Sequence, residues 1–116
     1  MEQIPKGEPI TAGMFLVNQH PAIVLFDSGA LHSFMSQVFS SKHHLEIKPV
    51  RDGYSIRTAR THISTNRVAW DVLLSFGTRE FTVNLIVLPG LGIDVVLGME
   101  WMKGHMVTID TANQEI

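Results

Sequence analysis

The sequence predicts an all-β domain, mainly strand with short helices, arranged as a closed or partly closed barrel. Three observations predict it. The apolar runs are short and rich in β-branched and aromatic residues, as in Ala22-Ile23-Val24-Leu25-Phe26 and Asp94-Val95-Val96-Leu97. Asn, Asp, Gly and Pro separate these runs at strand-length intervals. Trp70–Phe76 and Glu80–Leu88 flank Gly77-Thr78-Arg79, a three-residue connection with the form of a β-hairpin.

Residues 1–12 are polar, with Pro5, Gly7 and Pro9, and read as an N-terminal arm; residues 13–116 form the domain. Met14–Val17 is a short apolar run closed by the turn Asn18-Gln19-His20-Pro21. Ala22–Phe26 is too short and too β-branched for a helix, and its unbroken apolar character predicts a strand buried on both faces. It stops at Asp27-Ser28-Gly29-Ala30. Phe34, Val38 and Phe39 then recur at helical spacing and predict a short helix over 33–40. Lys48–Val50 is extended, Asp52-Gly53 is a turn, and Tyr54–Ala59 alternates as a strand that returns through Ile63–Val68. After the hairpin, Pro89-Gly90 is a break and Asp94–Leu97 a strand closed by Gly98. Met99–Lys103 makes one or two helical turns, His105–Asp110 is a strand, and Asn113–Ile116 can pair back on it.

The composition excludes several classes of function. The chain has 116 residues, 45% hydrophobic and 17% charged, which is enough for one domain and too little for two. The formal charge of -2 gives no basic surplus, so nucleic acid is not an expected partner. No apolar stretch approaches the roughly 20 residues of a membrane helix, and Met1–Lys6 shows no signal peptide, so no membrane partner is expected and an intracellular location is. The absence of cysteine removes disulfides, zinc–thiolate sites and cysteine nucleophiles.

Asp27 is the residue that carries chemistry. A carboxylate directly after five apolar residues is costly unless something there satisfies it. Ser28, Gly29 and Ala30 leave room for close approach. Gly29 lets the backbone present N–H groups to the carboxylate, and Ser28 adds a hydroxyl donor. An isolated Asp-Ser-Gly is more often an ordinary turn. Here an echo downstream changes the balance: Val95-Val96-Leu97-Gly98 again leads from an apolar strand through glycine into a helix. Two such units would set two buried strands side by side.

With these segments in hand, the chain resembles a retropepsin, and specifically the protease of gypsy-type LTR retrotransposons. The carriers are Ala22–Phe34, with Asp27-Ser28-Gly29 inside it, then Phe81–Pro89, then Asp94–Met102, in that order across residues 13–116. The resemblance implies an acid-protease-like barrel, a single lobe of a homodimer. It implies an aspartic endopeptidase that processes a retroelement polyprotein, with Asp27, Ser28 and Gly29 as the catalytic loop. Because the chain holds one such triplet, the second carboxylate must be Asp27 of a second copy. Two close carboxylates cannot both ionise cheaply, so the pair shares a proton. The hairpin over about 54–69 is implied to be a flap that closes over substrate, with its tip near Ala59–His62. Substrate would lie against Ala30, Ile56, Ala59, Arg60, Thr61, Ile93 and Val95, with Val50 a further lining candidate. Neither metal nor cofactor is implied, and the expected setting is cytoplasmic, in a virus-like particle or precursor polyprotein.

Two departures from the family pattern stand out. The tip Thr58-Ala59-Arg60-Thr61-His62 has no glycine, and Met99 follows Gly98 where viral relatives carry arginine, which implies a weaker dimer. The alternative reading is a non-catalytic or domesticated retropepsin-like domain kept for dimerisation or protein binding.

The remaining residues have plainer readings. Ile109-Asp110-Thr111-Ala112 lacks the glycine of an active loop and reads as a strand end. His43-His44 reads as surface loop, His32 as a helix entry, Trp101 and Met102 as core, Trp70 as partly buried, and Asp94 as a loop anchor. Ser33 and Ser36 have no histidine and acid at a serine-hydrolase spacing.

Overall fold

Asn18 and Gln19 both adopt positive φ, 48° and 68°, and so make the tight turn between β1 (Ile10–Val17) and β2 (His20–Asp27). Two left-handed residues match the twist of the flanking strands, and asparagine tolerates that conformation well. The turn is therefore Asn18-Gln19, and Pro21 lies within β2 opposite Leu16. Asn18 also fixes the hairpin to the rest of the sheet: its N–H donates to the Leu73 carbonyl and its Oδ1 accepts the Leu73 N–H, each at 2.7 Å. The structure, a computed structural model, describes residues 10–57 and 62–104. Ile10–Ala12, read from the sequence as arm, belong to β1. The strands expected at 105–110 and 113–116 lie outside the described residues.

β3 (Phe34–Ser36), α1 (Gln37–Lys42), β4 (Ile47–Arg57), β5 (His62–Phe76), β6 (Arg79–Leu88), β7 (Val95–Leu97) and α2 (Met99–Gly104) follow. The domain is mostly β. The sheet order is β1-β2-β7-β3-β6-β5-β4, and β1 pairs again with β5, so the strands run in a ring with β4 attached outside it. The echo seen in the sequence is realised: Val24, Leu25 and Phe26 pair in parallel with Val95, Val96 and Leu97.

Several elements differ from the sequence reading. The predicted helix over 33–40 is a strand followed by a helix. Phe34 and Met35 are buried between β7 and β6, and Ser36 caps α1 by accepting the Phe39 N–H at 3.2 Å. Phe34 sits at helical spacing from Val38, but the demand for burial at the centre of the sheet overrides it. The turn at Asp52-Gly53 is a bulge within a continuous β4: four residues, 50–53, stand opposite Asn66 alone, between the pairs Pro49↔Arg67 and Tyr54↔Thr65. A second bulge at Trp70-Asp71, with Asp71 at φ 53°, keeps 62–76 one strand. The β5–β6 turn is the two-residue Gly77-Thr78, since Phe76 already pairs with Arg79.

β2 alternates rather than being buried on both faces. Ala22, Val24 and Phe26 point into the core, whereas Ile23 is 44% exposed. Inside the ring these three meet Met35, Leu74, Leu85, Val87, Val95, Leu97, Trp101 and Met102. Phe15, Phe26, Phe76, Phe81 and Trp101 contact one another at 4.6–6.2 Å between ring centroids. Each such side chain contributes on the order of 2 kcal/mol of burial. Outside the ring, the His20 and His43 rings stack at 3.9 Å, joining the start of β2 to the end of α1. Partial burial holds His43 below the ordinary histidine value. His20, Lys42 and His44 act the same way, and Asp94 opposes them.

Candidate active site

β2 ends in Asp27, and the site grows from that end. Phe26, 1% exposed, anchors the strand, and Asp27 emerges half-buried. The chain then turns sharply. The Gly29 N–H donates to Asp27 Oδ1 at 2.8 Å and the Ala30 N–H donates to the Asp27 carbonyl at 3.1 Å. A Cβ at Gly29 would lie 3.1 Å from Oδ1 and crowd the carboxylate.

The junction between β7 and α2 clamps this loop from behind. The Met99 N–H donates to the Ala30 carbonyl at 2.7 Å, and the Glu100 N–H to the Leu31 carbonyl at 3.0 Å. The Gly98 N–H donates to Ser33 Oγ, also at 3.0 Å. Gly98 is where the two segments come closest: a Cβ there would stand 2.3 Å from the His32 carbonyl oxygen and 2.5 Å from that of Ala30. Only a residue without a side chain fits. Asp94 supports the other end of the parallel pair. Its Oδ2 accepts the Ile23 N–H at 2.8 Å and its carbonyl accepts the Ser36 N–H at 2.9 Å.

In front of the loop lies a second apolar cluster. Phe34, Ile86, Leu88 and Val96 form its buried part, and Leu25, Ala30, Tyr54, Ile56, Ile63, Leu91 and Ile93 pack against them. Ile56 and Ile63 sit opposite each other in the β4–β5 hairpin, so this hairpin presents an apolar face to the same cluster as Ala30. Ser55 Oγ and His62 Nε2 are hydrogen-bonded on the hairpin, and the His32 ring lies 5.5 Å from Tyr54 and 3.5 Å from the Glu100 carboxylate.

The residues singled out in the sequence therefore fall into three groups. Asp27, Ser28 and Gly29 form one braced loop. Ala30, Ile56 and Ile93 come together in the second cluster. Val95 does not join them: its side chain is fully buried in the main core, since alternation along β7 turns Val96, not Val95, toward that cluster. Ala59, Arg60 and Thr61 lie outside the described residues, as does Ile109-Asp110-Thr111-Ala112. His32 is not at a helix entry, because α1 starts at Gln37; it bridges the loop to Tyr54 and Glu100. Sequence reasoning missed the braces Ser33 and Gly98. From the sequence, Ser33 reads as the start of a helix without the partners of a serine nucleophile, and Gly98 as the glycine leading from an apolar strand into a helix. The echo between Phe26–Gly29 and Leu97–Gly98 points to the pairing of the two strands, but not to the bond between Gly98 and Ser33.

Among the described residues, no group of three or more His, Asp or Glu side chains could hold a metal ion, and no helix is long and apolar enough to cross a membrane.

The fold recurs in solved structures. EIAV protease, complexed with the inhibitor HBY-793, aligns with a TM-score of 0.70 at 16% identity, covering 93% of this chain and 99% of that one. The retroviral protease-like domain of Ddi1 from Leishmania major aligns at 0.66 and 16%, covering 87% and 81%. A retropepsin-like aspartic protease from Rickettsia conorii aligns at 0.56 and 22%, covering 84% and 79%. No curated protein matches the sequence significantly. The sequence profile described as retroviral aspartyl protease matches residues 1–116, and with the braced Asp27-Ser28-Gly29 loop on this ring of strands, the chain belongs to the retroviral aspartyl protease family.

Proposed function

We propose that the chain is an aspartic endopeptidase acting as a homodimer, its reaction centre formed by Asp27 of two copies. The observation that carries this is the loop itself. Asp27 is held by Gly29 and clamped through Ala30, Leu31 and Ser33, yet each chain supplies one such carboxylate. A twofold axis brings a patch onto its own copy, which is the geometry a carboxylate pair needs. Leu31, four residues beyond Asp27 and 65% exposed, supplies apolar surface next to the loop for a second chain to cover.

In the reaction, one Asp27 is ionised and the other protonated. The ionised carboxylate takes a proton from the water between them as the water oxygen attacks the scissile carbonyl carbon. The protonated one donates its hydrogen to the carbonyl oxygen. The tetrahedral gem-diol then collapses: the second carboxylate takes back a hydroxyl proton, the C–N bond breaks, and the amide nitrogen leaves with a proton from the first carboxyl, which restores one ionised and one protonated Asp27. Ser28 would hydrogen-bond across the pair. Ala30, Ile56 and Ile93 supply an apolar surface for substrate side chains, and the β4–β5 hairpin, with Ala59, Arg60 and Thr61 at its tip, serves as flap. The substrate is the polyprotein of a retroelement.

The likeness to the Ddi1 domain favours a second reading, a domesticated domain used for dimerisation or protein binding. Peptide-library cleavage from acidic to neutral pH, with Asp27→Ala alongside, separates the two. Cleavage that vanishes in the variant, from a particle with the mass of two chains, is expected. Cleavage that survives it, or a strict monomer at micromolar concentration, refutes the proposal.

A further inference from the structure

Along the β4–β5 hairpin lies a cavity of about 630 Å³ whose lining includes neither Asp27 nor Ala30, Ile56 or Ile93. Its origin is the bulge in β4. Four residues stand opposite one, so 50–53 loop away from β5 and open a hollow at the foot of the hairpin. Gly53 makes the bulge possible. It has φ +72°, and a Cβ there would meet the Thr65 carbonyl oxygen at 2.9 Å. The bulge is thus built into the sequence.

The lining is about equally polar and apolar, and its charge runs against that of the chain. Arg51 and Arg67 border it from the two strands, against the single acid Asp52, in a protein whose net charge is -2. Among the described residues, neither guanidinium is engaged in an ion pair or side-chain hydrogen bond. Ser55, Ser64 and Asn66 add hydrogen-bonding groups around them, and Val87 and Pro89 give an apolar floor. Arginine presents a planar fork of donors that matches a carboxylate in two parallel hydrogen bonds. The hollow is too large for one small ion and sits on β4, the strand at the end of the sheet order, whose bulge leaves backbone groups out of register.

We infer that this hollow is a docking site for an acidic, extended peptide segment, with glutamate or aspartate side chains received by Arg51 and Arg67. The site lies outside the cleavage surface and binds whether or not cleavage follows.

The test uses the full chain carrying Asp27→Asn, so that no probe is cut, and a short fluorescein-labelled peptide rich in glutamate. Polarisation at low salt is expected to show saturable binding that high salt removes. Arg51→Gln with Arg67→Gln together should weaken it about 10-fold or more, and Asp52→Asn should tighten it a few-fold. Both arginines are exposed, and an unchanged thermal melt confirms that the double variant is folded. The matching peptide with glutamine for glutamate should not bind, and inorganic phosphate should compete only weakly. Equal binding by the glutamine peptide, indifference to the arginine substitutions, or phosphate binding as tightly as the peptide would each overturn the inference. None of these outcomes touches the assignment of Asp27, which rests on cleavage.

Discussion

Gly98→Ala perturbs the site at its tightest point without touching Asp27. The added methyl would lie 2.3 Å from the His32 carbonyl oxygen and 2.5 Å from that of Ala30, where ordinary contacts begin at 3.4 Å. Both oxygens belong to backbone, so no rotamer relieves the clash. The loop must move back by about 1 Å. That retreat lengthens the 2.7 Å bond from the Met99 N–H to the Ala30 carbonyl beyond hydrogen-bonding range and strains the bonds at Leu31 and Ser33. Overpacking of this kind costs about 1–3 kcal/mol, and each bond lost adds about 1 kcal/mol. The expected destabilisation is about 2–5 kcal/mol, read by urea unfolding of variant and parent at equal concentration. Because Asp27 rides on the same loop, a displacement near 1 Å should also lower cleavage about 100-fold. Gly92→Ala is the control: nothing lies within 4 Å of its Cβ, and stability should change by less than about 0.5 kcal/mol. If Gly98→Ala melted with the parent and cleaved at the parental rate, the clamp would not be what positions Asp27.

Other perturbations follow from the same geometry. Asp27→Asn should abolish cleavage while leaving the fold intact, because the amide oxygen can still accept the Gly29 N–H; circular dichroism and a peptide assay check the two halves. Ser33→Ala leaves the buried Gly98 N–H without its acceptor and should cost about 1–3 kcal/mol in urea unfolding. His43 titrates below its ordinary value of 6.5 in the folded chain, so the unfolded chain binds more protons between the two values. Its contribution to stability is complete above about 6.5 and is lost as pH falls through the lowered folded value. In thermal melts across that range, His43→Gln should flatten the acid-side slope.

Much of this arrangement was legible in the sequence. The apolar run into Asp27-Ser28-Gly29, and its echo at Val95–Gly98, foretold two strands side by side with a carboxylate at the end of one; the structure makes them parallel. Local patterning reached that far because both units are encoded within a few residues. The misreadings at Phe34, Ile23 and Val95 share one cause: burial decided by distant neighbours. Phe34 and Met35 have helical spacing, but the gap between β7 and β6 makes them strand. Ile23 continues an apolar run, but it sits on the face of β2 turned away from the core. Val95 neighbours the site in sequence and faces away from it. Ser33 and Gly98 are 65 residues apart, and no local pattern could join them.

Among the described residues, one chain by itself supplies bonds that brace Asp27: Gly29 to its carboxylate, Met99 and Glu100 to the loop carbonyls, Gly98 to Ser33. On the proposed mechanism, a second copy therefore contributes a carboxylate and a substrate surface, and does not have to fold the loop. This has a kinetic consequence. At concentrations well below the dimer dissociation constant, the amount of dimer rises with the square of protein concentration, and cleavage should rise with it. Two copies joined head to tail by a flexible linker make the encounter intramolecular, at an effective concentration in the millimolar range. Cleavage by the tandem chain should then be linear in concentration, and a tandem carrying Asp27→Asn in one half should be inactive. If dimerisation were instead needed to shape the loop, that half-substituted tandem would have an intact loop pair and still no reaction, while the dilute single chain would lose protection of the Met99 and Glu100 amides in hydrogen exchange. Protection that persists on dilution while cleavage disappears identifies the missing carboxylate as the cause.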